Sequence, residues 1–153
     1  GRPKLSVREA VYSGDRTEDD EMMNTFRPVS TKSPIHDIIS VGSANIILFS
    51  PEAELVLSRK LTFALRYLSF WRYSVNDGIY TTDIRKMTRE TDEPGKKLGK
   101  SVSQGAVAEL MYIPNKHISV WIYAGILWAR EYISNTGAGL ETEGFSLRAS
   151  YKF

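Results

Sequence analysis

Hydrophobic and polar residues alternate without interruption at the end of the chain. Phe145, Leu147, Ala149, Tyr151 and Phe153 fall on one side, and Ser146, Arg148, Ser150 and Lys152 on the other. Side chains leave a strand toward opposite faces in turn, so this segment is a strand with one apolar and one polar face. The pattern recurs upstream. Phe49, Pro51, Ala53, Leu55 and Leu57 oppose Ser50, Glu52, Glu54 and Val56. Leu61, Phe63, Leu65 and Tyr67 oppose Thr62, Ala64, Arg66 and Leu68, and that run continues through Phe70, Trp71 and Arg72. Ala106, Ala108, Leu110 and Tyr112 oppose Val107, Glu109 and Met111. The segment from Ile118 to Trp128 is apolar on both faces except at Ser119, Tyr123 and Gly125, and Leu5 to Tyr12 alternates less cleanly because Arg8 and Glu9 are adjacent. The pattern predicts six strands, most of them near the roughly 9–11 residues that a tilted strand needs to cross a bilayer.

The connections sharpen that reading. Ser58-Arg59-Lys60 and Pro114-Asn115-Lys116 are tight turns, whereas residues 14–44, 76–103 and 130–143 are long and polar. Short and long connections alternate strictly, as in outer-membrane barrels with short periplasmic turns and long extracellular loops. The expected fold class is therefore all-β: a transmembrane antiparallel β-barrel segment whose apolar face meets lipid and whose polar face lines a wet interior. Tyr112, Tyr151 and Phe153 would sit at the periplasmic rim, and Trp71, Tyr73, Trp128 and Tyr132 at the outer one, as aromatic girdles.

Composition sets limits on this picture. The 153 residues are 42% hydrophobic and 25% charged, and no apolar stretch approaches the ~20 residues of a membrane helix. The lack of cysteine excludes a disulfide framework and a thiolate metal site. A net charge of +2 offers no argument for nucleic acid. The chain opens at Gly1 with neither an initiator Met nor a signal peptide, so it is expected to be processed or to belong to something longer. Six strands fall short of the about eight in the smallest single-chain barrels. The outermost strands therefore need partners, from the same protein, a separate chain or copies of this one.

A set of short stretches, taken in order, resembles a known family. They are Tyr12-Ser13-Gly14-Asp15, Thr25-Phe26-Arg27-Pro28, Ser43-Ala44-Asn45-Ile46-Ile47, Phe70-Trp71-Arg72 with Ser74 and Asn76-Asp77-Gly78-Ile79-Tyr80, Lys116-His117-Ile118-Ser119-Val120, and the closing Leu147-Arg148-Ala149-Ser150-Tyr151-Lys152-Phe153. Together they resemble the C-terminal third of the alginate-export outer-membrane barrels. The resemblance implies that residues 1–153 are a single C-terminal portion of a barrel of about 16–18 strands, in the bacterial outer membrane. It also implies a porin-like channel for an anionic polysaccharide. Leu48 and Ser50 stand where the family often has an acidic residue and then His, and Val107 where it often has Asp, so the solute stays open.

The expected lumen and selectivity residues follow from the alternation: Arg66, Arg72, Arg148 and Lys152, with Arg8 a further candidate, and the acids Glu52, Glu54 and Glu109. An excess of guanidinium groups favours anions, because rings of charged side chains set selectivity and Arg pairs with carboxylates in bidentate fashion. The competing reading is that these charges pair across neighbouring strands, Glu52 or Glu54 with Arg66, and simply fill a wet interior.

The loops hold weaker candidates. Glu18-Asp19-Asp20-Glu21 carries hard oxygen ligands but lacks the ligand spacing of a calcium loop, so no metal site is assigned. Arg85, Lys86, Arg89, Lys96, Lys97 and Lys100 form a basic loop that would suit lipopolysaccharide phosphates or an acidic polymer, although charged extracellular loops are common. Pro28 and Pro34, near Phe26 and Ile35, would order the first long loop as a constriction.

No enzyme is expected. The two histidines, His36 and His117, fall at opposite ends of the proposed barrel, and no nucleophile elbow, phosphate-binding loop or zinc-binding helix motif is present. No cofactor is implied. The expected function is passive passage of a polar, anionic solute. The alternatives are a structural or assembly barrel without transport, or a soluble β-sandwich carbohydrate-binding module. The expected partners are the lipid bilayer, the remaining strands and the barrel-assembly machinery, which would recognise Phe153 and Tyr151 in the closing strand.

Overall fold

The computed structural model describes residues 3–16, 25–26, 42–80, 87–89, 97–139 and 141–153. Strands β1 (Lys4–Tyr12), β2 (Ile46–Ser58), β3 (Leu61–Arg72), β6 (Ser101–Tyr112), β7 (Ile118–Ala129) and β8 (Thr142–Tyr151) build one antiparallel sheet in the order β1-β2-β3-β6-β7-β8. A separate two-stranded ribbon, β4 (Ile79–Tyr80) with β5 (Met87–Arg89), lies in the long connection between β3 and β6. A six-residue helix, α1 (Glu131–Thr136), follows β7. Each strand of the large sheet pairs with its neighbour in the meander, so the sheet is up-and-down throughout.

Local chemistry closes the tight turns. After β2, the Ser58 hydroxyl accepts the Lys60 N–H at 3.2 Å. After β6, the Asn115 side-chain oxygen accepts the N–H groups of His117 at 2.9 Å and Ile118 at 3.1 Å, the local mimicry of a backbone turn for which Asn is favoured. These two turns share one end of the sheet, here the turn end. The long connections share the other, the loop end.

Register fixes the two faces. Glu52 faces Arg66, which faces Val107, which faces Gly125, which faces Gly144, and all five point to the inner face. The outer face carries Leu5, Val7, Leu55, Leu65, Phe145 and Leu147, all exposed. Among the described residues no second sheet covers this apolar surface, which a β-sandwich would require.

The strands extend beyond the alternating segments. β2 begins at Ile46 instead of Phe49, and β6 at Ser101 instead of Gly105. The reason lies on the inner face of the loop end, where Ile46, Leu48, Leu68, Phe70, Val102 and Val107 form a buried cluster with Ile79, Leu98 and Tyr132 from the connections. Apolar residues sit on both faces there, so alternation is lost although the strand continues. Gly105 is part of this packing, because a Cβ there would lie 2.2 Å from the Ile126 carbonyl oxygen and 2.6 Å from the Leu127 side chain.

Tyr132 departs from its expected place. Instead of joining an outer aromatic girdle it is fully buried, with Arg72 stacked over its ring at 4.1 Å. Trp71 and Trp128 do face outward at the loop end, by their pairing with Ile47 and Gln104.

Candidate functional site: the inner face and its loop-end hub

The loop end is held by a hydrogen-bonded hub built from Asn45, Arg72 and Asp77. Asn45 enters β2 with φ of 52°, the left-handed region that Asn tolerates better than most residues. Its side-chain amide donates to the carbonyl oxygens of Ser74, Asp77 and Gly78 at 3.0, 2.7 and 3.1 Å. Its side-chain oxygen accepts the Ser74 N–H at 2.6 Å. The backbone of Asn45 also bonds to Ser13 beyond β1 and to Tyr73 beyond β3. Gly14 admits the Asn45 side chain, since a Cβ there would approach its oxygen to 2.1 Å.

Asp77 gathers the same region from the other side. One carboxylate oxygen accepts the Asp15 N–H and the Thr25 hydroxyl, both at 2.8 Å, and the other accepts the Gly78 N–H at 2.8 Å and the Tyr80 hydroxyl at 2.6 Å. Burial and then the hydrogen bond to Asp77 push the Tyr80 phenol up to about 12. A buried carboxylate surrounded by donors rigidifies the segments that supply them.

Arg72 completes the hub and corrects an expectation. Its register places it inward, opposite Ile46, but its side chain is fully buried. The guanidinium donates to the Gly99 carbonyl oxygen from Nε at 3.0 Å and from Nη2 at 2.6 Å, and to the Val75 carbonyl oxygen at 3.1 Å. It therefore ties the connection after β3 to the segment before β6 and is closed off from solvent. The planar fork satisfies several carbonyls at once, which Lys could not do.

Toward the turn end the inner face becomes polar. Arg66 forms an ion pair with Glu52, directly opposite it, with Nε 2.7 Å from the carboxylate. Glu54 and Glu109 share the next row, one on each side of Ala64. Arg8 lies opposite Ser50, and Lys4 opposite Glu54. Arg148 lies opposite Trp121, far along the sheet from Arg66, and Lys152 follows the last paired residue of β8. The seven expected lumen residues are thus distributed among a neutralised pair, a buried clamp, two acids in one row and two exposed cations at the β8 edge.

The closing strand is anchored at the turn end. β8 ends at Tyr151, two residues before the predicted limit, but the Lys152 N–H still donates to the His117 carbonyl oxygen at 2.8 Å. His117 stacks on Tyr151 with ring centroids 6.0 Å apart, and Tyr151 meets Phe153 edge to face at 5.2 Å. Phe153 is fully exposed.

Several candidates lie outside the described residues: the acidic run Glu18 to Glu21, Pro28, Pro34, Ile35, His36, Arg85, Lys86 and Lys96. Phe26 is described and packs on Tyr12, with ring centroids 5.4 Å apart. Among the described residues there is no group of three or more potential metal ligands.

Sequence reasoning gave no role to Asn45, Asp77 or Trp121. Asn45 and Asp77 lie within the family-like stretches, and Asp77-Gly78 is a turn signal. Nothing local distinguishes Trp121, whose strand is apolar on both faces.

One up-and-down antiparallel sheet, with an uncovered apolar face and a charged opposite face, is the wall of a membrane β-barrel. The family model for alginate export matches residues 1–143 of this chain. The chain belongs to the alginate export family, and its class is the outer-membrane transport β-barrel. No curated protein and no solved structure matches it.

Proposed function

We propose that this sheet lines part of an outer-membrane channel through which a polar, anionic solute, such as an acidic polysaccharide or oligosaccharide, diffuses passively. The carrying observation is the charge that the register brings to the inner face. Lys4, Arg8, Arg66, Arg72, Arg148 and Lys152 lie there against Glu52, Glu54 and Glu109. A cationic wall attracts anions and raises their local concentration. In this reading the turn end is periplasmic and the loop end extracellular. β1 and β8, each paired on one side only within the described sheet, continue into further strands, because an unpaired backbone group in lipid costs several kcal/mol. No catalytic step is part of the proposal.

The test is reversal potential in a planar bilayer under a potassium chloride gradient, using the complete barrel. Chloride preference is expected; cation preference, or no conductance from folded protein, would overturn the reading. The second reading, a barrel that assembles or scaffolds without transport, is favoured by one observation. The inner face of the loop end is packed with Ile79, Leu98 and Tyr132 and is not open to solvent.

A further inference from the structure

The outer face of the sheet carries a groove. Leu65 lies opposite Ala108, Ala108 opposite Ala124 and Ala124 opposite Phe145, and one row nearer the loop end Ala106 lies between Tyr67 and Ile126. Ala106, Ala108 and Ala124 floor a depression of about 590 Å³, with Leu65 and Phe145 at its sides. The side chains that line it are apolar except for Glu143, which is exposed and pairs with Ile126. Glu143 shares the outer face with Phe145 because the two are two residues apart in β8. A carboxylate on the lipid side of a barrel is unfavourable until a hydrogen-bond donor meets it.

Toward the loop end the same face becomes polar and aromatic. One row beyond Ala106, Gln104 lies between Ser69 and Trp128, and the buried Ser69 hydroxyl has no hydrogen-bond partner among the described residues. Trp71 and Trp128 stand where an aromatic girdle meets lipid headgroups. Beyond Trp128 the backbone stays extended at Arg130, whose N–H donates to the Val102 carbonyl oxygen at 3.0 Å. Arg130 therefore continues the face of Trp128; it is exposed, and no ion pair holds it among the described residues. The adjacent Glu131 lies over Gly99, where a Cβ would approach its carboxylate to 2.3 Å. Four residues of strand, about 13 Å, separate Arg130 from the row of Ile126 and Glu143.

We propose that this face binds one lipopolysaccharide molecule of the outer leaflet through its lipid A, with an acyl chain in the alanine groove and a phosphate at Arg130. Complementary chemistry at two depths names the occupant. At the headgroup level the guanidinium donates to the phosphate in charge-assisted bonds. At the level of the chains Glu143 needs a donor. The hydroxyl and amide N–H groups of amide-linked hydroxyacyl chains supply one, whereas the acyl esters of glycerophospholipids carry acceptors only. Gln104 and Ser69, between these levels, offer donors to acyl carbonyls. The inference rests on the reading that sets the loop end in the outer leaflet and not on transport, so a barrel that only scaffolds would hold the same lipid.

The complete barrel, folded in detergent free of lipopolysaccharide, is titrated with diphosphoryl lipid A and, separately, with phosphatidylglycerol, and bound lipid is counted by native mass spectrometry. One lipid A is expected to be retained at least tenfold more tightly than phosphatidylglycerol. Ala108→Leu, which fills the groove from the outer face, and Arg130→Gln should each weaken lipid A severalfold, and Glu143→Leu should narrow the preference over phosphatidylglycerol. Heat-modifiable migration shows that each variant is folded. Equal retention of the two lipids overturns the assignment to lipid A, and unchanged lipid A affinity in folded Ala108→Leu or Arg130→Gln overturns the site. Lipid A held by a barrel that does not conduct would sink the channel reading alone, and conductance without lipid A retention would sink this site alone.

Discussion

The side-chain amide of Asn45 donates to the carbonyl oxygen of Asp77 at 2.7 Å, joining the start of β2 to the turn after β3. Two further carbonyls and one N–H complete the bonding of that amide, and all are buried. Asn45→Ala removes these partners and leaves a non-glycine, non-Asn residue at positive φ. It should cost about 3 kcal/mol or more, given about 1–3 kcal/mol for each stranded buried group. Asn45→Gly keeps the backbone conformation but not the bonds, so it should lose slightly less. Urea unfolding in detergent, followed by tryptophan fluorescence, measures both.

Arg72→Lys should loosen the loop end without changing ion selectivity. The clamp needs the planar fork that reaches Gly99 and Val75, and a single ammonium cannot reproduce it. Faster proteolysis between β3 and β6, with the reversal potential unaltered, is the expected pair of results. A shifted reversal potential would return Arg72 to the solute-facing set.

The Glu52–Arg66 pair predicts charge effects of opposite sign. Glu52→Gln frees a guanidinium on the inner face, so a channel should become more anion-preferring. Arg66→Glu places two acids opposite each other, with Glu109 and Glu54 in the next row, and should shift it toward cations. Reversal potentials of the two variants, each compared with the parent, test the signs.

Tyr80 makes the hub sensitive to alkali. Its phenol is raised from 10.0 to about 12, so the folded hub holds the proton more tightly than an unfolded chain does. Its contribution is complete below pH 10, falls as pH rises above that value, and is lost through about pH 12. Stability to urea in detergent, followed by tryptophan fluorescence, should fall across that window in the parent. Tyr80→Phe should make that fall shallower.

Deleting Phe153 should lower membrane assembly far more than it alters conductance. The residue makes an edge-to-face contact with Tyr151 but is otherwise exposed, so little of the sheet depends on it. Heat-modifiable protein in the membrane fraction, compared with the conductance of what does assemble, measures the two effects. Normal assembly of the deletion would remove the recognition role from this residue.

The six-strand sheet was legible from the sequence because alternation is a local consequence of strand geometry. Phe145 to Phe153 and Leu61 to Tyr67 display both faces without reference to any other part of the chain. The turns were equally legible, since Asn115 and Ser58 close them through bonds to residues two or three positions away. The partner of Arg66 was narrowed to Glu52 or Glu54 by spacing, and only the register selected Glu52.

Other features had no local signature. Ile46 and Leu48 obscure the beginning of β2 because residues far along the chain, Ile79, Leu98 and Tyr132, cover them from the inner side. The same covering turned Arg72 from an apparent lumen charge into a buried clamp, and set Tyr132 beneath it. Trp121 could be placed only once β7 was flanked by β6 and β8, since a strand apolar on both faces does not say which face is inside. The sequence by itself determined the strands, the turns and the alternating faces, because each depends on neighbours within a few residues. The tertiary structure alone decided which inward side chains remain open to solvent and which are sealed, because that depends on contacts with residues distant in the chain.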